Sequence, residues 1–339
     1  MPFINEILKY DSLSIVGLEK NVGKTECLNY ILLRLPLEQK TIAVTSIGID
    51  GENKDQVTAT KKPEIYLREG VYFSTAEAHY RAKRLVSELV EITNERSSLG
   101  RIVTGKVVVG GKVLISGPSS GPSLKRWVKS TKELGVDITI IDGAISRLSS
   151  ASPAISKAMV LSTGAALSSN MSTLVQKTKF VVELINLPLA ENDVIEAFDS
   201  IETGVWGMDC DGKIVDFGLT SSLSIASVKV DITKNMKFIF AAGALTDRFL
   251  NLVGNSGNVK SVVLVVRDFT KIFVNEMLYR NFVLRGGRIV VLQKSKLIAV
   301  CVNPTAPNGY VLDSETLCEK LQEAIKLPVY DIVKNRYDI

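Results

Sequence analysis

Short apolar runs alternate with longer amphipathic segments along almost the whole chain, and this alternation constrains the fold more than any other feature. The run Leu13–Gly17 is followed by Lys24–Leu35, in which leucine and isoleucine recur at helical spacing. The next run, Thr41–Ile47, is rich in β-branched residues that favour strands. Such alternation is typical of βαβ units, which place parallel strands in one sheet with helices on its faces. The sequence therefore predicts an α/β fold with a mainly parallel sheet.

The same reasoning assigns the rest of the chain. We predict a long helix over Thr75–Ile92, and a hairpin of Arg101–Val109 and Lys112–Ser116 that turns at Gly110-Gly111. A small antiparallel insertion is predicted over residues 203–218. Further strands or extended segments are predicted at Asp137–Ile141, Met159–Leu161, Phe238–Ala242, Ser261–Val266, Arg288–Gln293, Leu297–Val302 and Val329–Ile332. Further helices are predicted at Ser123–Leu134, Asn170–Lys179, Thr246–Val253, Phe273–Leu284 and Ser314–Ile325.

Composition excludes several classes of function. The 41 Lys and Arg residues against 36 Asp and Glu give a net charge of only +5, without a basic stripe, which argues against a nucleic-acid partner. The only histidine, His79, excludes multi-histidine metal sites, and nothing in the sequence pairs it with a nucleophile. Four cysteines lie far apart, as expected in a reducing compartment. Because no signal peptide or membrane span is evident, we expect a cytoplasmic protein without a membrane partner.

The strongest chemical signal is the segment Gly17–Thr25, Gly-Leu-Glu-Lys-Asn-Val-Gly-Lys-Thr, between a predicted strand and a predicted helix. A phosphate-binding loop (P-loop) has this context, because N–H groups at a helix N-terminus and the helix dipole attract phosphate. Gly23 would let the backbone approach, Lys24 would reach the β- and γ-phosphates, and Thr25 would hold Mg²⁺. The residues predicted to bind the nucleotide are Asn21, Val22, Gly23, Lys24, Thr25 and Glu26.

The loop departs from the common pattern, since five residues rather than four separate Gly17 from Gly23. That spacing resembles the loop of dethiobiotin synthetase-like enzymes. The alternative is a strand–helix turn with an incidental lysine. The chain has no Asn-Lys-x-Asp motif, the usual signature of guanine-specific proteins, and this favours ATP over GTP as the ligand.

Two carboxylates are candidates for the metal side of the site. Asp142 ends the apolar run 138–141, and a carboxylate at the end of a buried strand can hold Mg²⁺ directly or through water. Asp50 follows the second predicted strand, so it could approach the metal or orient an attacking water. We therefore predict Lys24, Asp50 and Asp142 as catalytic residues, and Thr25, Asp142 and Asp50 as metal ligands. The alternatives are that Asp142 caps the segment that follows it and that Asp50 belongs to a solvated Asp-Gly turn.

A wider set of motifs runs along the chain in a fixed order. The motifs are Gly17–Thr25, Lys62–Ile65, Ser74–Glu77, Leu99–Ile102, Ser116–Ser120, Asp142–Arg147, Ala151–Pro153 and Leu161–Ala165. This set resembles the ATP-dependent reactivase-type proteins linked to lysine 5,6-aminomutase and ornithine 4,5-aminomutase. The resemblance covers residues 10–190 and extends loosely to Leu327–Asp331. It implies ATP-driven exchange of damaged cobalamin on an aminomutase, with the mutase itself or a second reactivase subunit as partner.

The length of 339 residues corresponds to about two domains. We predict a P-loop nucleoside triphosphatase (NTPase) domain over residues 1–200 and a C-terminal α/β domain over residues 201–339 that binds a partner or ligand. Two alternatives to a partner-directed ATPase stay open: an ATP-dependent carboxylate ligase of the dethiobiotin synthetase type, and a non-catalytic nucleotide-binding scaffold. A homo-oligomer is also open.

Overall fold

The structure is a computed structural model that describes residues 2–47, 64–144, 152–223 and 232–334. The chain divides into two compact units, of which the first comprises Met1–Lys179 and Ser295–Ile339 and the second Phe180–Lys294. The predicted division at residue 200 differs from these units. The reason is that the strand Lys296–Asn303 returns to pair with Ala158–Gly164, which the local sequence pattern does not reveal.

The strands, in chain order, are β1 (Ser12–Gly17), β2 (Ile42–Ser46), β3 (Ile65–Leu67), β4 (Tyr72–Ala76), β5 (Arg84–Ser97), β6 (Gly100–Val113), β7 (Ile138–Ala144), β8 (Ala158–Gly164), β9 (Val205–Met208), β10 (Ile214–Leu219), β11 (Phe238–Ala241), β12 (Leu245–Thr246), β13 (Val263–Val266), β14 (Ile272–Phe273), β15 (Arg288–Val291), β16 (Lys296–Asn303) and β17 (Val329–Asp331). The α-helices are α1 (Phe3–Ile7), α2 (Lys24–Arg34), α3 (Glu77–Arg81), α4 (Gly121–Glu133), α5 (Met171–Ile185), α6 (Asn192–Phe198), α7 (Asp247–Gly254), α8 (Glu276–Leu284) and α9 (Ser314–Ile325).

A ten-stranded mixed sheet forms the first unit. Its order is β17-β16-β8-β1-β7-β2-β4-β6-β3, and β5 pairs with β6 off this path. The seven strands from β17 to β4 are parallel to one another, whereas β6 is antiparallel to β4, β3 and β5. The predicted α/β fold with a mostly parallel sheet is confirmed. Parallel strands end at the same edge, so the carboxyl ends of β1, β7, β2, β8 and β16 lie along one edge of the sheet.

Burial explains why the central strand and the following helix form. Every residue of β1 is buried, as expected for an inner strand of a parallel sheet covered on both faces. Cys27, Leu28 and Ile31 of α2 pack in the same core cluster as Leu13 and Ile15 of β1. The apolar face predicted for this helix therefore packs on the strand that precedes it.

The predicted helix over Thr75–Ile92 is wrong. β4 ends at Ala76, the five-residue helix α3 follows, and then β5 runs for 14 residues along β6. Exposed and half-buried residues alternate towards both ends of β5, the five residues 88–92 are all exposed, and no residue of this strand is buried. The spacing of its apolar residues is compatible with a helix as well as with a strand. The segment is a strand because it pairs with β6.

The predicted turn at Gly110-Gly111 is also wrong, because both glycines lie inside β6. A Cβ atom on Gly111 would lie only 2.0 Å from the Arg84 carbonyl oxygen, so this glycine permits a close approach between strands. The hairpin turns instead between β5 and β6, at Ser98-Leu99, where Gly100 has a φ of +99°.

The second unit contains a five-stranded sheet in the order β10-β9-β11-β13-β15. Strands β11, β13 and β15 are parallel, and β9 and β10 form an antiparallel pair, which confirms the insertion predicted over residues 203–218. None of the helices in the described ranges combines the length and apolar character that crossing a membrane requires.

Candidate phosphate-binding site

The loop between β1 and α2 folds back over the end of its own strand. A Cβ atom on Gly17 would lie 2.7 Å from both Cγ and Cδ of Lys24 and 2.9 Å from Cγ2 of Val22. The aliphatic part of Lys24 therefore lies directly against the Gly17 backbone. The N–H of Leu18 donates to the Ser162 carbonyl oxygen at 2.9 Å, which ties the start of the loop to β8.

Two residues of the loop adopt the left-handed conformation, Asn21 with a φ of 62° and Gly23 with a φ of 89°. Asparagine and glycine are the residues that adopt it most readily. Gly23 occupies the N-cap position of α2 and has no side chain to accept hydrogen bonds from the first N–H groups of the helix. The structure thus has a glycine at the N-terminus of α2, the backbone arrangement that phosphate-binding loops use.

The six predicted nucleotide-binding residues differ in exposure. Asn21 is exposed, Val22 is buried, and the four residues from Gly23 to Glu26 are half-buried. Val22 is only 1% exposed, so it can offer a ligand its backbone but not its side chain.

Asp142 lies on β7, which is inserted between β1 and β2. It stands opposite Ile15 of β1 on one side and opposite Ser46 of β2 on the other. Its Oδ1 atom lies 4.0 Å from Nζ of Lys24, and the two side chains are 22% and 21% exposed respectively. The structure therefore brings together two of the three predicted catalytic residues, although 118 positions separate them in the sequence.

The donor atoms at this place suit a hard cation. Thr25 follows Lys24 in the first turn of α2, and its hydroxyl, like the Asp142 carboxylate, is an oxygen donor of the kind that Mg²⁺ prefers. Within the described ranges, no group of three or more His, Cys, Asp or Glu residues could hold a metal ion.

The third predicted catalytic residue, Asp50, lies outside the described residues. Ile47, the described residue that precedes this part of the chain, donates its N–H to the Asp142 carbonyl oxygen at 3.1 Å. The Ser162 hydroxyl, opposite Gly17 in β8, is fully buried and has no hydrogen-bond partner among the described residues.

Asn303, at the end of β16, is a site residue that the sequence analysis missed. Its Nδ2 atom donates to the Asn21 carbonyl oxygen at 3.3 Å. The available signal was the Asn-Pro pair that follows an apolar run, which marks a turn at the end of a strand. That signal places a turn but does not say which loop the turn contacts.

His79 is paired, which the sequence did not predict. Its Nδ1 atom lies 2.5 Å from Oγ of Ser116, and both residues are buried. The Ser116 N–H donates to Oγ1 of Thr75 at 3.1 Å, so Ser116, which follows β6, is bonded both to the end of β4 and to His79 of α3. Ser116 is only 1% exposed, and a structural role explains the contact better than a nucleophilic one.

Two thiols lie beneath the loop. Sγ of Cys27 in α2 lies 3.5 Å from Sγ of Cys301 in β16, and both residues are fully buried. The hydrogen bond with Cys27 and the complete burial raise the pKa of the Cys301 thiol well above its ordinary value. The Cys301 thiol is therefore neutral and packs as an apolar group between the helix and the sheet.

Comparison with known proteins identifies no relative: no protein-family model, no curated protein and no solved structure matches the chain.

Proposed function

We propose that this chain is a P-loop ATPase that binds ATP with Mg²⁺ at the loop Asn21–Glu26. The observation that carries the proposal is the position of Lys24, whose stem crosses Gly17 and whose ammonium lies 4.0 Å from Asp142 on the neighbouring strand. Lysine, helix N-terminus and carboxylate thus converge at the carboxyl edge of a parallel sheet, where α/β proteins bind their ligands.

Each residue has a defined task in this proposal. The Lys24 ammonium and the N–H groups at the start of α2 bind the phosphates and neutralise charge on the transferred phosphoryl group. The Thr25 hydroxyl and the Asp142 carboxylate hold Mg²⁺, which supplies further charge neutralisation when it is bound. Asp50 orients the attacking water, a role that rests on its position in the sequence alone.

We further propose that hydrolysis drives cofactor exchange on a cobalamin-dependent aminomutase in the cytoplasm. This part rests on the motif resemblance, which includes the loop and Asp142–Arg147. The partner-binding part would be the second unit, Phe180–Lys294, whose described strands β9, β10, β11, β13 and β15 form a sheet of their own.

Calorimetric titration with ATP and with GTP, each with Mg²⁺, tests the nucleotide site. We expect Lys24→Ala to raise the Kd for ATP at least tenfold, since a charge-assisted contact contributes about 1.5–3 kcal/mol. Lys20→Ala is the matched control, because this exposed lysine of the same loop should leave the Kd within about twofold. If Lys24→Ala bound ATP with wild-type affinity, the proposal that the nucleotide binds at this loop would be refuted.

Turnover measurements separate the alternatives. A partner-directed ATPase releases ADP slowly alone and faster with an aminomutase. A carboxylate ligase of the dethiobiotin synthetase type releases ADP only when a small carboxylic acid is present. A scaffold binds ATP without releasing ADP under any of these conditions.

A further inference from the structure

Asn303 is held in place by strand β8. Its backbone stands opposite Gly164 in the parallel pair of β16 and β8. The Ala165 N–H donates to the Asn303 carbonyl oxygen at 2.9 Å. A Cβ atom on Gly164 would lie 2.1 Å from that same oxygen, so the two backbones are in direct contact. The end of β16 is therefore a fixed point at the carboxyl edge of the sheet.

From this fixed point the Asn303 side chain makes two hydrogen bonds that set its orientation. Oδ1 accepts from the Thr305 N–H at 3.1 Å, and Nδ2 donates to the Asn21 carbonyl oxygen at 3.3 Å. A backbone N–H can only donate and a carbonyl oxygen can only accept, so the amide nitrogen must face the loop. The contact joins residues 282 positions apart in the chain.

Asn303 also packs against the second left-handed residue of the loop. A Cβ atom on Gly23 would lie 3.0 Å from Cβ of Asn303. The two loop residues with positive φ, Asn21 and Gly23, are thus the two that Asn303 touches. A backbone in a sparsely populated conformation persists when its surroundings hold it there.

We propose that Asn303 is a positioning residue of the phosphate loop: it holds the left-handed turn that directs the first N–H groups of α2 towards a triphosphate. This inference rests on the nucleotide site proposed above. Asn303 acts through the loop backbone, so its loss weakens the binding of phosphates by the same factor whatever base they carry.

The variant Asn303→Ser isolates the contact with the loop. Serine can still accept from the Thr305 N–H in a local turn, but it is too short to reach Asn21, and it introduces no charge near the phosphates. Asn308→Ala is the matched control. Oδ1 of Asn308 makes a similar local turn with the Tyr310 N–H at 3.1 Å in the same connection between β16 and α9.

Hydrogen exchange of the nucleotide-free protein is the first readout, because it does not depend on ligand binding. In Asn303→Ser the amides of residues 18–24 should exchange about tenfold faster, as expected for the loss of one hydrogen bond and its packing contact. The amides of β7 should be unchanged. The control Asn308→Ala should match the wild type in both places.

Nucleotide titration is the second readout. Asn303→Ser should raise the Kd values for ATP and GTP by the same factor, about five- to tenfold. A change confined to ATP would assign Asn303 to base recognition and overturn the inference, as would wild-type exchange in the loop.

Failure of Lys24→Ala to weaken binding would refute the nucleotide site, while the exchange result would still decide whether Asn303 holds the loop. Should the serine variant not fold, the same exchange measurement on Asn303→Asp tests the contact.

Discussion

Replacing Gly164 with alanine should destabilise the first unit strongly. The added Cβ atom would lie 2.1 Å from the carbonyl oxygen and 2.9 Å from the carbonyl carbon of Asn303, and both atoms belong to the backbone. The strands β8 and β16 must therefore move apart, which weakens the hydrogen bond from Ala165. Forced overpacking costs about 1–3 kcal/mol and the hydrogen bond about 1 kcal/mol, so we expect a loss of about 3 kcal/mol.

Thermal unfolding followed by calorimetry measures this loss. For a unit of this size 1 kcal/mol corresponds to about 2–4 °C in Tm, so Gly164→Ala should lower Tm by about 6–12 °C. Gly135→Ala is the control, because its Cβ would meet nothing within 4 Å and only the positive φ of 79° is strained. That control should lose about 1 kcal/mol. If Gly164→Ala lowers Tm no more than Gly135→Ala does, the described contact between β8 and β16 is incorrect.

Three further predictions concern the loop, the carboxylate and pH. Gly17→Ala should lower the unfolding free energy by about 1–3 kcal/mol, because the stem of Lys24 and the buried Val22 must both move, and should raise the Kd for ATP about tenfold in calorimetry. Unchanged affinity would contradict the position of Lys24 against Gly17. Asp142→Asn should slow ATP hydrolysis at least tenfold in a phosphate-release assay while leaving Mg²⁺-free ATP binding intact, and unchanged turnover would exclude the carboxylate from the mechanism. The Thr41 N–H and the Lys40 ammonium lower the pKa of Asp137, so the stability this carboxylate provides is present at neutral pH and is lost as pH falls through the lowered pKa. Asp137→Asn should therefore destabilise the protein in urea at about pH 7 but not at about pH 2, and an equal effect at both would refute the assignment.

The local elements of the site were predictable because short stretches of sequence encode them. An apolar run, a glycine-lysine loop and an amphipathic segment specify β1, the loop and α2 without reference to the rest of the chain. The position of Asp142 beside Lys24 also followed, since an aspartate at the end of a buried parallel strand reaches the same sheet edge as the loop.

The strand β5 was not predictable from local pattern, whereas a strand was predicted over Arg101–Val109, which lies within β6. Val86, Leu89 and Ile92 of β5 are exposed, so no buried face imposes a period of two on the sequence of this strand. Their spacing of three fits one side of a helix equally well. Only the pairing with β6 distinguishes the two structures.

The role of Asn303 in the site was likewise not predictable from the local sequence. Its contact with Asn21 depends on β16 returning to the first unit after the whole second unit has been traversed. A single sequence contains no local signal for such a return. The Asn-Pro pair predicts the turn, but the partner of the side chain follows only from the order of strands in the sheet.

A crystal structure with a non-hydrolysable ATP analogue and Mn²⁺ tests the central claim most directly. The account predicts the triphosphate on the backbone of residues 21–26 and an anomalous manganese signal whose protein ligands are Thr25 and Asp142. Triphosphate bound elsewhere, or a manganese ion with neither residue as a direct or water-bridged ligand, would contradict it.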